Sequence, residues 1–169
     1  PRGVQQPFFV EFGFHGVRDS NTEYLKRAGW TGLRFDMKFS TPELNLVVER
    51  ISVSNVVEVF ERHAVPSEVD FVSIDIDTCD VWVFAALTDP STRFRPRVVQ
   101  IEMNRHDVFG SDRVLDCRGG IPAWKKLGHD ADTAFALESH SFGASMFAIA
   151  TVAKWRGYTV VWVERCYDV

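Results

Sequence analysis

The chain has 169 residues, a formal net charge of -4, 46% hydrophobic residues and 14 phenylalanines. Its length and apolar content are typical of one folded unit with a continuous core, so we expect a single domain over residues 1–169. The acidic balance argues against non-specific nucleic-acid binding, and no apolar run in the sequence is long enough for a membrane span.

The three cysteines, Cys79, Cys117 and Cys166, are widely spaced and odd in number. This pattern indicates neither a disulfide framework nor a zinc knuckle, and it favours a reducing, intracellular compartment. The sequence begins at Pro1 rather than at Met, which predicts a processed or trimmed N-terminus. Such an N-terminus is compatible with a removed organellar presequence, for example a mitochondrial one.

Apolar runs and turn signals alternate in the first part of the chain. Residues 8–12 predict a buried strand, and the capping-box pattern Ser20-Asn21-Thr22-Glu23 predicts a helix that begins at Ser20. Two more strands are predicted over residues 32–36 and 44–51. The segment between them is too short for the usual helical crossover, so we expect residues 44–51 to pair antiparallel or to leave the sheet.

The same alternation continues to the end of the chain. The patterns predict strands over residues 69–76, 97–103 and 159–163, and helices over residues 55–63, over residues 81–87 and from Ser141 onwards. Strands alternating with helices predict an α/β, Rossmann-like fold with a mostly parallel sheet and flanking helices. The polar segment 105–140 is typical of a functional or partner-bound loop.

Several segments, in the same order, are similar to those of the FkbM-type methyltransferase-like proteins, a branch of the class I S-adenosylmethionine methyltransferases. The matching segments are Val10–Gly13, Ser20–Thr22, Gly29–Gly32, Asp70–Asp77, Arg95–Val99, Ile101–Asn104 and Phe142–Ser145. This resemblance implies that S-adenosylmethionine is held by a glycine turn and by acidic residues at strand ends. The cofactor-binding candidates are Glu11, Gly13, Gly16, Asp36 and Asp75.

Acidic side chains collect where two strands of the predicted sheet end. Asp75 and Asp77 share one face of their strand, Asp80 follows in the turn, and Glu102 and Asn104 end the next strand. These four carboxylates and one amide could hold Mg²⁺, which prefers oxygen ligands, and Asp77, Glu102 and Asn104 are the candidate metal ligands. In an active enzyme these three residues would also be catalytic, because they would position the methyl acceptor. The alternative gives the acidic residues a capping role, with Asp80 as the N-cap of helix 81–87.

The chain departs from the family pattern around the cofactor site. The turn Gly13-Phe14-His15-Gly16 is shorter than the family's turn and lacks its aspartate, and Phe14 is bulky where the backbone approaches the cofactor. The helix between the second and third strands is expected to be missing. The last strand of the family's sheet is also expected to be missing, which leaves an edge open to a partner.

Two functions fit these observations. The first, which the departures favour, is a degenerate methyltransferase-fold domain without a cofactor. It would act as a non-catalytic structural or interaction subunit of a larger assembly, and other protein subunits would bind segment 105–140 and the edge near Val163. The alternative is an active S-adenosylmethionine-dependent O-methyltransferase of the FkbM type, with Mg²⁺ as a further cofactor.

Overall fold

The computed structural model describes residues 6–104, 114, 117 and 143–164. Within these residues the strands are β1 (Phe8–Phe12), β2 (Thr31–Asp36), β3 (Leu46–Val48), β4 (Phe71–Ile74) and β5 (Val98–Ile101). The helices are α1 (Glu23–Arg27), α2 (Val56–Arg62), α3 (Asp80–Leu87) and α4 (Met146–Trp155), and a 3-10 turn covers Pro42–Leu44.

The strands form one sheet in the order β3-β2-β1-β4-β5, and every neighbouring pair is parallel. This arrangement confirms the predicted α/β, Rossmann-like architecture. Parallel sheets are normally covered on both faces, which explains why the central strands are rich in apolar residues. Among the described residues, no helix has both the length and the apolar character that crossing a membrane requires.

One face of the sheet carries the hydrophobic core. Because side chains alternate between faces along a strand, Val10 and Phe12 of β1 share this face with Val72 and Ile74 of β4. The helices cover it with buried residues of α2, α3 and α4, namely Val56, Val59, Phe60, Val81, Phe84, Leu87, Ala148 and Val152. The aromatic rings of this core meet at an angle, as their quadrupoles favour.

The opposite face carries four polar residues in register across the sheet. Arg34 of β2 lies beside Glu11 of β1, Glu11 lies beside Ser73 of β4, and Ser73 lies beside Gln100 of β5. We refer to Arg34, Glu11, Ser73 and Gln100 as the polar row. The first three are buried; Arg34 and Glu11 pair with each other, whereas the hydroxyl of Ser73 has no hydrogen-bond partner among the described residues.

Arg34 is the centre of the buried electrostatic interactions on this face. Its Nε lies 3.3 Å from Oε2 of Glu11, and its Nη2 lies 3.0 Å from Oε2 of Glu23 on α1. Its guanidinium also lies over the rings of Phe9 and Phe14, at 5.4 and 4.9 Å from their centroids. Arg34 therefore joins β1, β2, α1 and the turn after β1 into one unit.

The prediction that segment 44–51 would pair antiparallel or leave the sheet is wrong. β3 is shorter than predicted and pairs parallel with β2, although a 3-10 turn, and no α-helix, lies between the two strands. The chain turns back at once because Oδ1 of Asp36 accepts from the backbone N–H groups of Lys38 and Phe39. The absence of a crossover helix was predicted correctly. The direction in which β3 pairs with β2 was not.

Two predicted helix starts are wrong. Helix α1 begins at Glu23, with Thr22 as its N-cap, because the hydroxyl of Ser20 donates to Glu11 instead of capping the helix. Helix α4 begins after Ser145, whose Oγ accepts from the backbone N–H of Ala148. A start at Ser141 is excluded because Gly143 has a φ of +68° and Ala144 bridges to Met103.

The predicted last strand over residues 159–163 is also wrong. In the described part of the chain this segment pairs with no strand, and its apolar side chains face solvent, with Val161 85% and Trp162 78% exposed. An extended apolar segment forms a strand only when another strand supplies hydrogen bonds. Segment 105–140, apart from Val114 and Cys117, lies outside the described residues, so its predicted role as a contact surface stays a prediction.

Candidate functional site

The strand order identifies one crevice where a ligand is expected. From β1 the chain continues to β2 on one side, whereas β4 is added on the other side of β1. Ligands of open α/β sheets bind at such a reversal, outside the carboxyl ends of the strands. In this chain the crevice lies where the turn after β1 meets the loop after β4.

Gly13 begins the turn after β1 and contacts the end of β4 directly. Its φ is +78°, and a Cβ placed on it would lie 1.7 Å from the backbone oxygen of Asp75. Gly16, at φ +147°, has no atom within 4 Å of its Cβ position, so it faces open space. Of the two predicted cofactor-binding glycines, Gly13 is needed for packing, and Gly16 is the one with room beside it.

Three carboxylates converge at the ends of β4 and β5. One oxygen from each of Asp75, Asp77 and Glu102 lies within 4.8 Å of the other two, and we call these residues the acidic cluster. Asp75 and Glu102 follow directly after the paired residues Ile74 and Ile101, which makes them neighbours on the polar face. Asp77 reaches them from a left-handed backbone conformation, with a φ of +63°.

Two of the three candidate metal ligands belong to the acidic cluster. Asp77 and Glu102 lie together as expected, and the third member is Asp75, which was predicted for the acidic group as well as for cofactor binding. Asn104 follows Glu102 where the chain leaves β5, and its backbone N–H donates to the carbonyl of Ala144 at 2.8 Å. The grouping of Asp75 with Asp77 was predictable because residues two apart on a strand share a face.

Crowding of negative charge raises the pKa values of the carboxyl groups in this region. Burial, followed by the charges of Asp75, Asp80 and Asp77, raises the pKa of Glu102 to about 8. Burial and the charge of Asp77 also raise the pKa of Asp75. Oε2 of Glu102 is buried and has no hydrogen-bond partner among the described residues. At neutral pH Glu102 therefore holds a proton, and its carboxyl group shares a hydrogen bond with Asp75.

Asp80 holds the loop beside the acidic cluster and does not act as the predicted N-cap of α3. Cys79 holds the N-cap position of α3, and the carboxylate of Asp80 accepts from the backbone N–H groups of Ile76 and Thr78 at 2.8 and 3.0 Å. Burial raises its pKa to about 7, and the charge of Asp75 adds to that increase. These two hydrogen bonds shape the loop that carries Asp75 and Asp77.

We expect Asp80→Asn to remove part of a pH dependence of stability. The folded protein holds a proton on Asp80 up to about pH 7, whereas the unfolded chain releases it near pH 4. The wild type should therefore lose on the order of 3 kcal/mol of unfolding free energy as the pH rises across this window. Urea unfolding at pH 4.5 and pH 8 measures the difference, which should be smaller in the variant.

The matched control for this experiment is Asp89→Asn. Hydrogen bonds from Ser91 lower the pKa of Asp89, so this carboxyl contributes with the opposite sign and its removal should leave the loss of stability in place. Equal pH profiles for the wild type and Asp80→Asn would contradict the assignment of a raised pKa to Asp80.

Two other predicted cofactor ligands make hydrogen bonds within the chain. The carboxylate of Glu11 accepts from the hydroxyls of Ser20 and Thr22 and from the backbone N–H of Asn21. Oδ1 of Asp36 accepts from the two amides that follow β2. Glu11 therefore shapes the turn after β1, and Asp36 shapes the turn after β2.

A cleft of about 320 Å³ opens beside the turn after β1. Its lining residues are Phe14, His15, Phe39, Ser40, Thr41 and Leu46. The guanidinium of Arg34 packs over the ring of Phe14, whereas Phe39 is 62% exposed and its ring lines the cleft. The charge of His15 lowers the pKa of Asp75, which indicates that the cleft and the acidic cluster adjoin through His15.

A disulfide joins Cys79 to Cys117, so the prediction of unpaired cysteines is wrong. The two residues are 38 positions apart, and no local spacing motif marks them as partners. A reducing compartment was predicted because the cysteines show no disulfide pattern. Disulfides persist mainly in oxidising environments, so this bond takes away the basis of that prediction. It also fixes the start of α3, immediately after the acidic loop.

Comparison with known proteins gives no match to a family model, to a curated protein or to a solved structure. The resemblance to FkbM-type proteins therefore rests on the sequence segments alone.

Proposed function

We propose that the domain is a cation-dependent, S-adenosylmethionine-dependent O-methyltransferase, with the acidic cluster and the cleft as two parts of one site. The observation that carries the proposal is the convergence of Asp75, Asp77 and Glu102 within 4.8 Å. Such a convergence costs stability in the free protein, since like charges repel and burial raises the pKa of Glu102. Groups perturbed in this way, in a crevice, are typical of functional sites.

The acidic cluster is the proposed site of a hard divalent cation. Its three residues offer carboxylate oxygens, which Mg²⁺ and Mn²⁺ prefer, and the buried Oε2 of Glu102 provides an acceptor that lacks a partner among the described residues. When bound, the cation would supply positive charge that lowers the pKa of an acceptor hydroxyl. The carboxylates of Asp75 and Asp77 would hold this hydroxyl near the cleft.

The cleft is the proposed cofactor site. Its volume of about 320 Å³ is in the range of small-molecule sites, and the exposed ring of Phe39 offers a stacking surface for an adenine. When bound, S-adenosylmethionine would supply an electrophilic methyl group. Because its sulfonium is positively charged, the neighbouring carboxylates of Asp75 and Asp77 favour its approach.

His15 is the proposed general base. It lines the cleft, is exposed, and is close enough to Asp75 for its charge to lower the pKa of that carboxyl. A neutral imidazole can accept the proton that an acceptor hydroxyl releases during methyl transfer. The carboxylate oxygens of Asp75 and Asp77 then remain available to the cation.

We expect the wild type to bind Mn²⁺ and S-adenosylmethionine in calorimetric titrations, and Asp77→Asn/Glu102→Gln to bind Mn²⁺ at least about tenfold more weakly. The double variant should melt no lower than the wild type at pH 8, because removing two charges relieves repulsion within the acidic cluster. Weaker binding combined with unchanged or higher stability separates a ligand role from a structural one.

Glu61→Gln, an exposed carboxylate on α2, is the control and should leave both affinities unchanged. If the wild type binds neither Mn²⁺ nor S-adenosylmethionine, the methyltransferase proposal fails. If Mn²⁺ binds equally well to the double variant, the acidic cluster is not the cation site.

A second candidate function is the non-catalytic interaction subunit. It is supported by the exposed apolar segment 160–163 and by Trp155, which is 69% exposed. Exposed apolar patches of this kind mark sites of protein association. For this candidate, both ligands should fail to bind, and Val161→Glu should reduce self-association or partner binding in sedimentation experiments without lowering the melting temperature.

A further inference from the structure

The Cys79–Cys117 disulfide is attached directly to the loop that carries Asp75 and Asp77 of the acidic cluster. Cys79 is two positions after Asp77 and caps α3, so the bond fixes the end of loop 75–80. Its other half, Cys117, is only 8% exposed. The loop is thus held at one end by β4 and at the other by a covalent bond.

Other features of the loop oppose its folded shape. The carboxylates of Asp75 and Asp77 repel each other, and Asp77 has a left-handed backbone, which is unfavourable for a residue with a side chain. The hydrogen bonds from Ile76 and Thr78 to Asp80 act against this tendency. The disulfide adds a covalent restraint on this loop that charge does not weaken.

We propose that the Cys79–Cys117 disulfide is a redox-controlled clamp on loop 75–80. A dithiol reductant donates two electrons and two protons, the S–S bond breaks to give two thiols, and the reductant becomes a disulfide. Without the bond, the repelling carboxylates move apart and the loop opens. The effect of the clamp on cation binding rests on the proposed function. In the oxidised form, the carboxylates are held at the separation that a shared ion requires.

Hydrogen exchange tests the clamp without any ligand. The amides of Ile76 and Thr78 report on the loop because both donate to Asp80, and the amide of Val10 in β1 reports on the sheet. In Cys117→Ser, exchange at Ile76 and Thr78 should be at least about tenfold faster, with Val10 unchanged. Cys166→Ser, which keeps the disulfide, is the matched control and should exchange like the wild type.

Unchanged exchange at Ile76 and Thr78 in Cys117→Ser would overturn the clamp. Faster exchange at Val10 as well would also overturn it, because the bond would then stabilise the whole domain and not the loop. Reduction of the wild type by dithiothreitol should reproduce the pattern of the variant, and reoxidation should restore protection.

Mn²⁺ titration tests the functional consequence. Cys117→Ser removes the disulfide without a dithiol reductant, which would chelate the metal. Its affinity for Mn²⁺ should be at least about tenfold weaker than that of Cys166→Ser. Equal affinities would overturn control of the site by the disulfide. If Cys166→Ser does not bind Mn²⁺ at all, the proposed cation function fails, and the exchange experiment still decides whether the loop is clamped.

Discussion

Gly13→Ala is expected to lower the free energy of unfolding by at least about 4 kcal/mol, or to prevent folding. The new Cβ would lie 1.7 Å from the backbone oxygen of Asp75, and neither the turn nor β4 can move without breaking the pairing of β1 with β4. The left-handed φ of +78° adds strain for any residue with a side chain. Guanidinium unfolding, monitored by tryptophan fluorescence, measures the loss.

Gly29→Ala is the matched control, because Gly29 has a φ of +89° and no atom within 4 Å of its Cβ position. It isolates the cost of the left-handed backbone, which is about 1 to 2 kcal/mol. If both variants lose the same stability, backbone strain accounts for the whole effect, and the contact between the turn after β1 and the end of β4 is not tight.

Arg34→Met is expected to cost about 3 to 5 kcal/mol, because it leaves the carboxylate of Glu11 buried without its cation. Methionine keeps an apolar contact with the rings of Phe9 and Phe14, so lost packing contributes little. Urea unfolding at pH 7 gives the difference in stability.

Arg27→Met provides a control that shares a partner with Arg34. Both arginines pair with Glu23, but the side chain of Arg27 is 71% exposed, so its removal should cost less than about 0.5 kcal/mol. A small cost for Arg34→Met would show that Ser20, Asn21 and Thr22 satisfy Glu11 without the guanidinium.

The fold was predictable where the signal is local. Residues 8–12 form β1 as predicted, because the aromatic and β-branched run ends at a glycine that must turn. The strand direction of β3 was not predictable in this way, since the rule on crossover length describes helical connections. The short turn at Asp36 depends on two side-chain hydrogen bonds that have no sequence pattern of their own.

The acidic cluster was predictable in part for a similar reason. Asp75, Asp77 and Glu102 were grouped because they lie where predicted strands end, and the parallel sheet brings those strand ends to one edge. Which of their oxygens approach one another could not be predicted, because the offset between β4 and β5 is a tertiary property. The partner of Cys79 was missed because its distance along the chain carries no information about distance in space.

The polar row has a consequence for how the strands find one another during folding. If β1 or β2 slipped by one residue against its neighbour, Glu11 or Arg34 would turn toward the apolar face, where no opposite charge would meet it. An unpaired charge among those phenylalanines is far less favourable than a poorly packed apolar side chain. Arg34 and Glu11 therefore select one alignment of the central strands and disfavour shifted sheets that an entirely apolar pair of strands would tolerate.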